Sequence, residues 1–177
     1  MQKSVHGKPT PDLQRLVAEA DTGGRKVAGF AGGLIFALAV SWSLFQLWYA
    51  SPLPFTFRWG VLNDTEARSL HLGVALFLAF LSYPAWGSAS RAAVPWYDWL
   101  LATAGAFAGA YFILFYAELA TRPGQPMLID VITATAGLVL LLEATRRAVG
   151  MPMTFLAILF LAYILLGRYL PDVLAHK

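Results

Sequence analysis

Residues 27–50 contain no charged side chain. A helix needs about 20 consecutive, mainly apolar residues to cross the hydrocarbon of a bilayer. This stretch is long enough, and it begins behind a polar segment. It is too long for the core of a signal peptide, so it is expected to stay as the first membrane helix. Four further apolar blocks follow, at about 65–86, 95–118, 126–148 and 152–170. Lipid offers the backbone no hydrogen-bond partner, so each block is expected to be a helix. The expected fold is an all-α integral membrane protein with five transmembrane helices. Residues 27–148 would form a four-helix unit, and residues 149–177 would hold a connector-like fifth helix. Residues 1–26 would be a cytoplasmic segment.

Composition points the same way. The chain is 58% hydrophobic and 13% charged, against about 25% charged in ordinary soluble domains. A soluble fold of 177 residues has too little interior for that much apolar surface. The absence of cysteine excludes disulfides, thiolate metal sites and thiol nucleophiles.

Local signals divide the blocks. Thr10-Pro11-Asp12 reads as a helix start, and Leu13, Leu16, Val17 and Ala20 then follow helical spacing. A short amphipathic helix on the membrane surface is expected there. In the first block, Gly29 and Gly33 are spaced for close helix approach. Pro52 and Pro54 argue against regular helix in 51–68. Phe55, Phe57 and Trp59 around Arg58 suggest a loop lying against the interface. Asn63 and Glu66 have capping-box spacing. Pro95-Trp96-Tyr97-Asp98-Trp99 opens the third block, with Asp98 placed to complement the helix dipole and three aromatics to anchor at headgroups. Gly105 and Gly109 stand at GxxxG spacing, a packing face for a neighbouring helix.

The basic residues lie between apolar blocks rather than in one patch, so they serve topology and not nucleic-acid binding. With the N-terminus in the cytoplasm, Lys3, Lys8, Arg15, Arg25, Lys26, Arg91, Arg146 and Arg147 fall inside. Arg58, Arg68, Arg122, Arg168 and Lys177 fall outside. The bias favours a cytoplasmic N-terminus and, after five spans, a periplasmic C-terminus.

Transport sites place ionisable groups or broken helices near mid-membrane. The cores of all five blocks lack Asp, Glu, Lys and Arg. The nearest candidates are Asp130, Glu143, Arg146 and Arg147. Glu143 can pair with Arg146 or Arg147 at i+3 or i+4, as a cluster that fixes helix depth or contacts a partner subunit or anionic lipid. No G-x-S-x-G, H-E-x-x-H or P-loop is present. His6, His71 and His176 are too scattered for a metal cluster. No catalytic, metal or cofactor site is expected. The residues expected at subunit or lipid contacts are Gly105, Gly109, Trp96, Tyr97, Asp98, Trp99, Glu143, Arg146 and Arg147. The alternative is a self-contained small transporter or channel acting as a homo-oligomer.

Five segments in order carry a resemblance. They are Ser41-Trp42-Ser43-Leu44-Phe45-Gln46-Leu47, then His71-Leu72-Gly73 with Tyr83-Pro84, then Pro95-Trp96-Tyr97-Asp98-Trp99-Leu100-Leu101. Leu142-Glu143-Ala144-Thr145-Arg146-Arg147 with Gly150, and Gly167-Arg168-Tyr169-Leu170-Pro171 with Leu174-Ala175-His176, complete the set. Together they resemble the N-terminal region of fused permeases of tripartite ATP-independent periplasmic (TRAP) transporters of the TAXI type. The resemblance implies a four-helix small unit followed by the connector that starts a large unit of about twelve helices. It also implies a periplasmic binding protein that delivers an organic acid, uptake driven by an ion gradient, and the inner membrane of a bacterium. The large unit would carry the transport site, and the small unit would hold it and help dock the binding protein. A fused permease would continue past Lys177, so the chain is expected to be a separate small subunit or a fragment.

Overall fold

The computed structural model describes residues 23–87 and 89–167. The amphipathic helix expected from Thr10 onward lies outside the described residues, as do Arg168 and Tyr169 of the fifth block. The described chain is helical, with no strand. Its elements are α1 (Gly29–Ala50), α2 (Leu53–Phe57), α3 (Asp64–Ser82), α4 (Trp96–Leu114), α5 (Tyr116–Thr121), α6 (Leu128–Ala148) and α7 (Met151–Leu166). Three of them, α1, α4 and α6, are long and apolar enough to cross a membrane. α3 has 19 residues, but its first turns carry Asp64, Glu66 and Arg68, and α7 has 16 residues.

The ends of the elements follow from local chemistry. α3 starts on a capping box: Asn63 Oδ1 accepts from the Glu66 N–H at 2.8 Å, and the Asn63 N–H donates to Glu66 Oε2 at 2.9 Å. It stops at Ser82, short of the expected 86. Tyr83 precedes Pro84 and is extended, because the proline ring disfavours helical backbone in the residue before it. The connection expected to be irregular across 51–68 contains α2. Pro54 sits in the first turn, where a missing N–H costs nothing. Arg58, in the left-handed region at φ 51, then ends α2. The third block divides at Phe115 into α4 and the short α5, so the connection expected after 118 is helical to Thr121.

α3, α4 and α6 form the centre of the bundle, and α3 and α4 are its most closely packed pair. α1 packs on α3, and α7 packs on α6 alone among the described elements. One end of the bundle gathers the start of α1, the end of α3, the start of α4 and the end of α6. It is called the Asp98 end below. The other, the Asp130 end, gathers the end of α1 with α2, the start of α3, the end of α4 with α5, and the start of α6. Leu76, Phe80, Leu81, Ala102 and Ala144 make the buried apolar core. They belong to the late turns of α3 and α6 and the early turns of α4, so the core fills the half toward the Asp98 end.

Much of the outside of the bundle is apolar. Phe36, Leu47, Leu100, Leu128, Phe155 and Leu165 are each at least 60% exposed. Soluble monomers rarely carry apolar surface on this scale, whereas lipid covers it without cost.

Candidate functional site

The charged side chains gather at the two ends. At the Asp98 end, Asp98 lies in the first turn of α4 and is completely buried. A buried carboxylate persists only with charged or hydrogen-bonding partners. Asp98 has two arginines from distant parts of the chain. Arg25, just before α1, pairs with Asp98 Oδ2, and Arg147, in the last turn of α6, donates to Asp98 Oδ1 at 2.7 Å.

Both arginines do further work. Arg25 Nη1 donates to the carbonyls of Phe80 at 2.9 Å and Leu81 at 3.1 Å. These belong to the last turn of α3, whose carbonyls have no intrahelical donor and whose dipole favours a cation. The Arg25 backbone N–H also donates to the Ser82 carbonyl at 2.7 Å. Arg147 lies over the Phe80 ring, 4.9 Å from its centroid, and its Nε donates to Glu143 Oε1 at 2.7 Å.

Glu143 joins both of its expected partners. Arg146 donates to each Glu143 oxygen at 2.7 Å and to the Ala85 carbonyl at 2.8 Å. Arg25, Asp98, Arg147, Glu143 and Arg146 therefore form one network. It ties the segment before α1 to the end of α3, the start of α4 and the end of α6. Three guanidinium groups face two carboxylates, which leaves one positive charge.

At the Asp130 end, Asp130 accepts from the Tyr111 hydroxyl at 2.6 Å and from the Met127 N–H at 2.7 Å, and it pairs with Arg122. This set ties the loop after α5 to α4 and α6. The hydrogen bonds to Asp130 raise the pKa of Arg122 above its ordinary value, so it stays charged. Gln46 Nε2 and His71 Nδ1 meet at 2.7 Å between α1 and α3, which is a local polar tie.

The remaining expected contact residues divide. Trp96 is exposed and Tyr97 sits at its edge, with the two rings 6.2 Å apart. Trp99 turns inward, edge-on to Phe77 at 6.4 Å. Gly105 and Gly109 do form a packing face for a neighbouring helix, and that helix belongs to the same chain. Both are buried against α3 of the same chain. A Cβ at Gly105 would come within 3.0 Å of Leu76 Cβ, and one at Gly109 would strike the Gly73 backbone. Ser69 Oγ donates to the Gly109 carbonyl at 2.5 Å across this contact. The small residues thus serve the α3–α4 packing. Gly33, by contrast, faces open space, with nothing within 4 Å of a Cβ placed there.

Sequence reasoning missed Arg25 as a partner of Asp98, and it missed the Arg122–Asp130–Tyr111 set. A carboxylate in the first turn of an apolar helix was the available signal, since burial there demands a cation. No family model, curated protein or solved structure matches the chain.

Proposed function

We propose that this chain is the small membrane subunit of a TRAP-type secondary transporter in a bacterial inner membrane. It would hold a larger transport subunit of about twelve helices and help dock a periplasmic binding protein carrying an organic acid. In this reading α3 and α7 cross the membrane with α1, α4 and α6.

One observation carries the proposal. Every described Asp, Glu, Lys or Arg on α1, α3, α4, α6 and α7 lies within about two turns of a helix end. The carboxylates of α4 and α6 are all paired with arginines of the same chain. The middle of the bundle holds no ionised group to meet an anionic solute or a coupling ion, which is where carriers keep theirs. A bundle with closed ion pairs at its ends and an apolar outside suits a support for another membrane subunit. The five resembling segments supply the identity of that subunit.

Charge supports the orientation. Among the described residues the Asp98 end carries Arg25, Lys26, Arg91, Arg146 and Arg147, and the Asp130 end carries Arg58, Arg68 and Arg122. The positive-inside rule puts the Asp98 end in the cytoplasm.

The test is reconstitution of the purified chain alone in proteoliposomes. No uptake of organic acids is expected under a sodium or proton gradient. Sustained gradient-driven uptake would make the chain a carrier in its own right and defeat the proposal.

A further inference from the structure

The half of the bundle toward the Asp130 end is not filled. α3 and α6 meet toward the Asp98 end, where Leu76, Phe80, Leu81 and Ala144 belong to one core cluster. Toward the Asp130 end they leave a cleft of about 520 Å³, floored by Ala108, Gly109 and Phe112 of α4. Its walls are mainly apolar. On α3 it extends from Asp64 to Leu72, and on α6 from Thr133 to Leu141. Each run rises about 12 Å from its first residue to its last, close to the half-thickness, about 15 Å, of a bilayer's hydrocarbon.

Two features point to an occupant. Thr133 lines the cleft, is only 8% exposed, and makes no hydrogen bond among the described residues. Its hydroxyl is not sealed off from its surroundings, and lipid hydrocarbon alone would offer it no partner. At the mouth, Arg68 and Asp64 form an ion pair at 2.8 Å whose side chains are 80% and 74% exposed. The mouth is therefore net neutral, with one charge of each sign.

We infer that the cleft takes one acyl chain of a zwitterionic phospholipid with a primary ammonium, an ethanolamine phospholipid. The chain lies over Gly109 between α3 and α6. The Thr133 hydroxyl donates to an ester carbonyl. The ammonium donates to Asp64, and the phosphate accepts from Arg68. A phosphate without an ammonium would place an anion beside Asp64, and a choline head has no N–H to donate. A partner helix fits less well. A helix about 10 Å across would need roughly 900 Å³ over 12 Å of length, and the convergence of α3 and α6 would force it out at mid-membrane. The inference needs only a bilayer around the bundle, not the transporter reading above.

Native mass spectrometry of the full chain tests it, using equimolar ethanolamine, choline and glycerol phospholipids of the same acyl composition. One ethanolamine lipid per chain is expected, preferred about fivefold, the scale of two exposed polar contacts. Ala134 lines the cleft and is exposed, so Ala134→Trp fills it from a position outside the buried core. That variant is expected to lose the lipid about tenfold. Arg68→Gln is expected to keep a lipid and lose the headgroup preference. Thr133→Val, which preserves shape, covers the case of a misfolded Ala134→Trp and is expected to weaken retention about threefold. Equal retention of the three lipids by the wild type, or unchanged retention in both cleft variants, would overturn the inference.

Discussion

The closest approach in the bundle makes a sharp prediction about Gly109. A methyl group there would strike the Gly73 backbone and come within 2.9 Å of the Leu72 carbonyl carbon. Backbone cannot rotate away as a side chain can, so α3 and α4 must separate. Overpacking of this kind costs about 1–3 kcal/mol. Separation also stretches the bond from Ser69 to the Gly109 carbonyl, worth about 0.5–1.5 kcal/mol. Replacing glycine by alanine in a helix interior returns about 1 kcal/mol of propensity. Gly33→Ala provides the control, because it is also helical and meets nothing within 4 Å. The propensity gain is common to both variants and cancels in the comparison. Gly109→Ala is therefore expected to be less stable than Gly33→Ala by about 1.5–4.5 kcal/mol. The assay is unfolding of the detergent-solubilised chain by sodium dodecyl sulfate, followed by circular dichroism. Equal midpoints for the two variants would refute the reasoning.

Three other perturbations read the polar ties. Asp98→Ala leaves Arg25 and Arg147 buried without their carboxylate. It should cost about 3–5 kcal/mol in the same unfolding assay, and a loss below 1 kcal/mol would show that the network closes around water instead. Tyr111→Phe removes one hydrogen bond to the Asp130 carboxylate and should cost about 1.5–3 kcal/mol; wild-type stability would mean the bond is idle. Arg68→Ala breaks only an exposed pair and should change stability by less than about 1 kcal/mol, so a large loss would show that Arg68 is engaged elsewhere.

Much of the architecture was legible because it depends on short-range rules. Apolar stretches bounded by proline, glycine and charge marked the helices, and the Asn63–Glu66 capping box formed as its spacing implied. Glu143 found Arg146 and Arg147 because residues three and four apart share a helix face. The rest depended on which helices meet. Arg25 and Asp98 are 73 positions apart, and no local pattern joins them. The glycine spacing at Gly105 and Gly109 announces close packing on a neighbouring helix but does not say which helix, and α3 of the same chain takes that place. Gly33 carries the same kind of spacing and stands open, since α1 touches α3 along another face. Pro54 reads as a helix breaker in sequence, but it stands in a first turn, where proline is tolerated.

The supporting role is tested most directly by what accompanies the chain out of its native membrane. The tagged chain, extracted in mild detergent, would be weighed intact by native mass spectrometry. A one-to-one complex with a multi-spanning membrane protein of about twelve helices is the expected species. A stable monomer, or an assembly made only of copies of this chain, would contradict the proposed role.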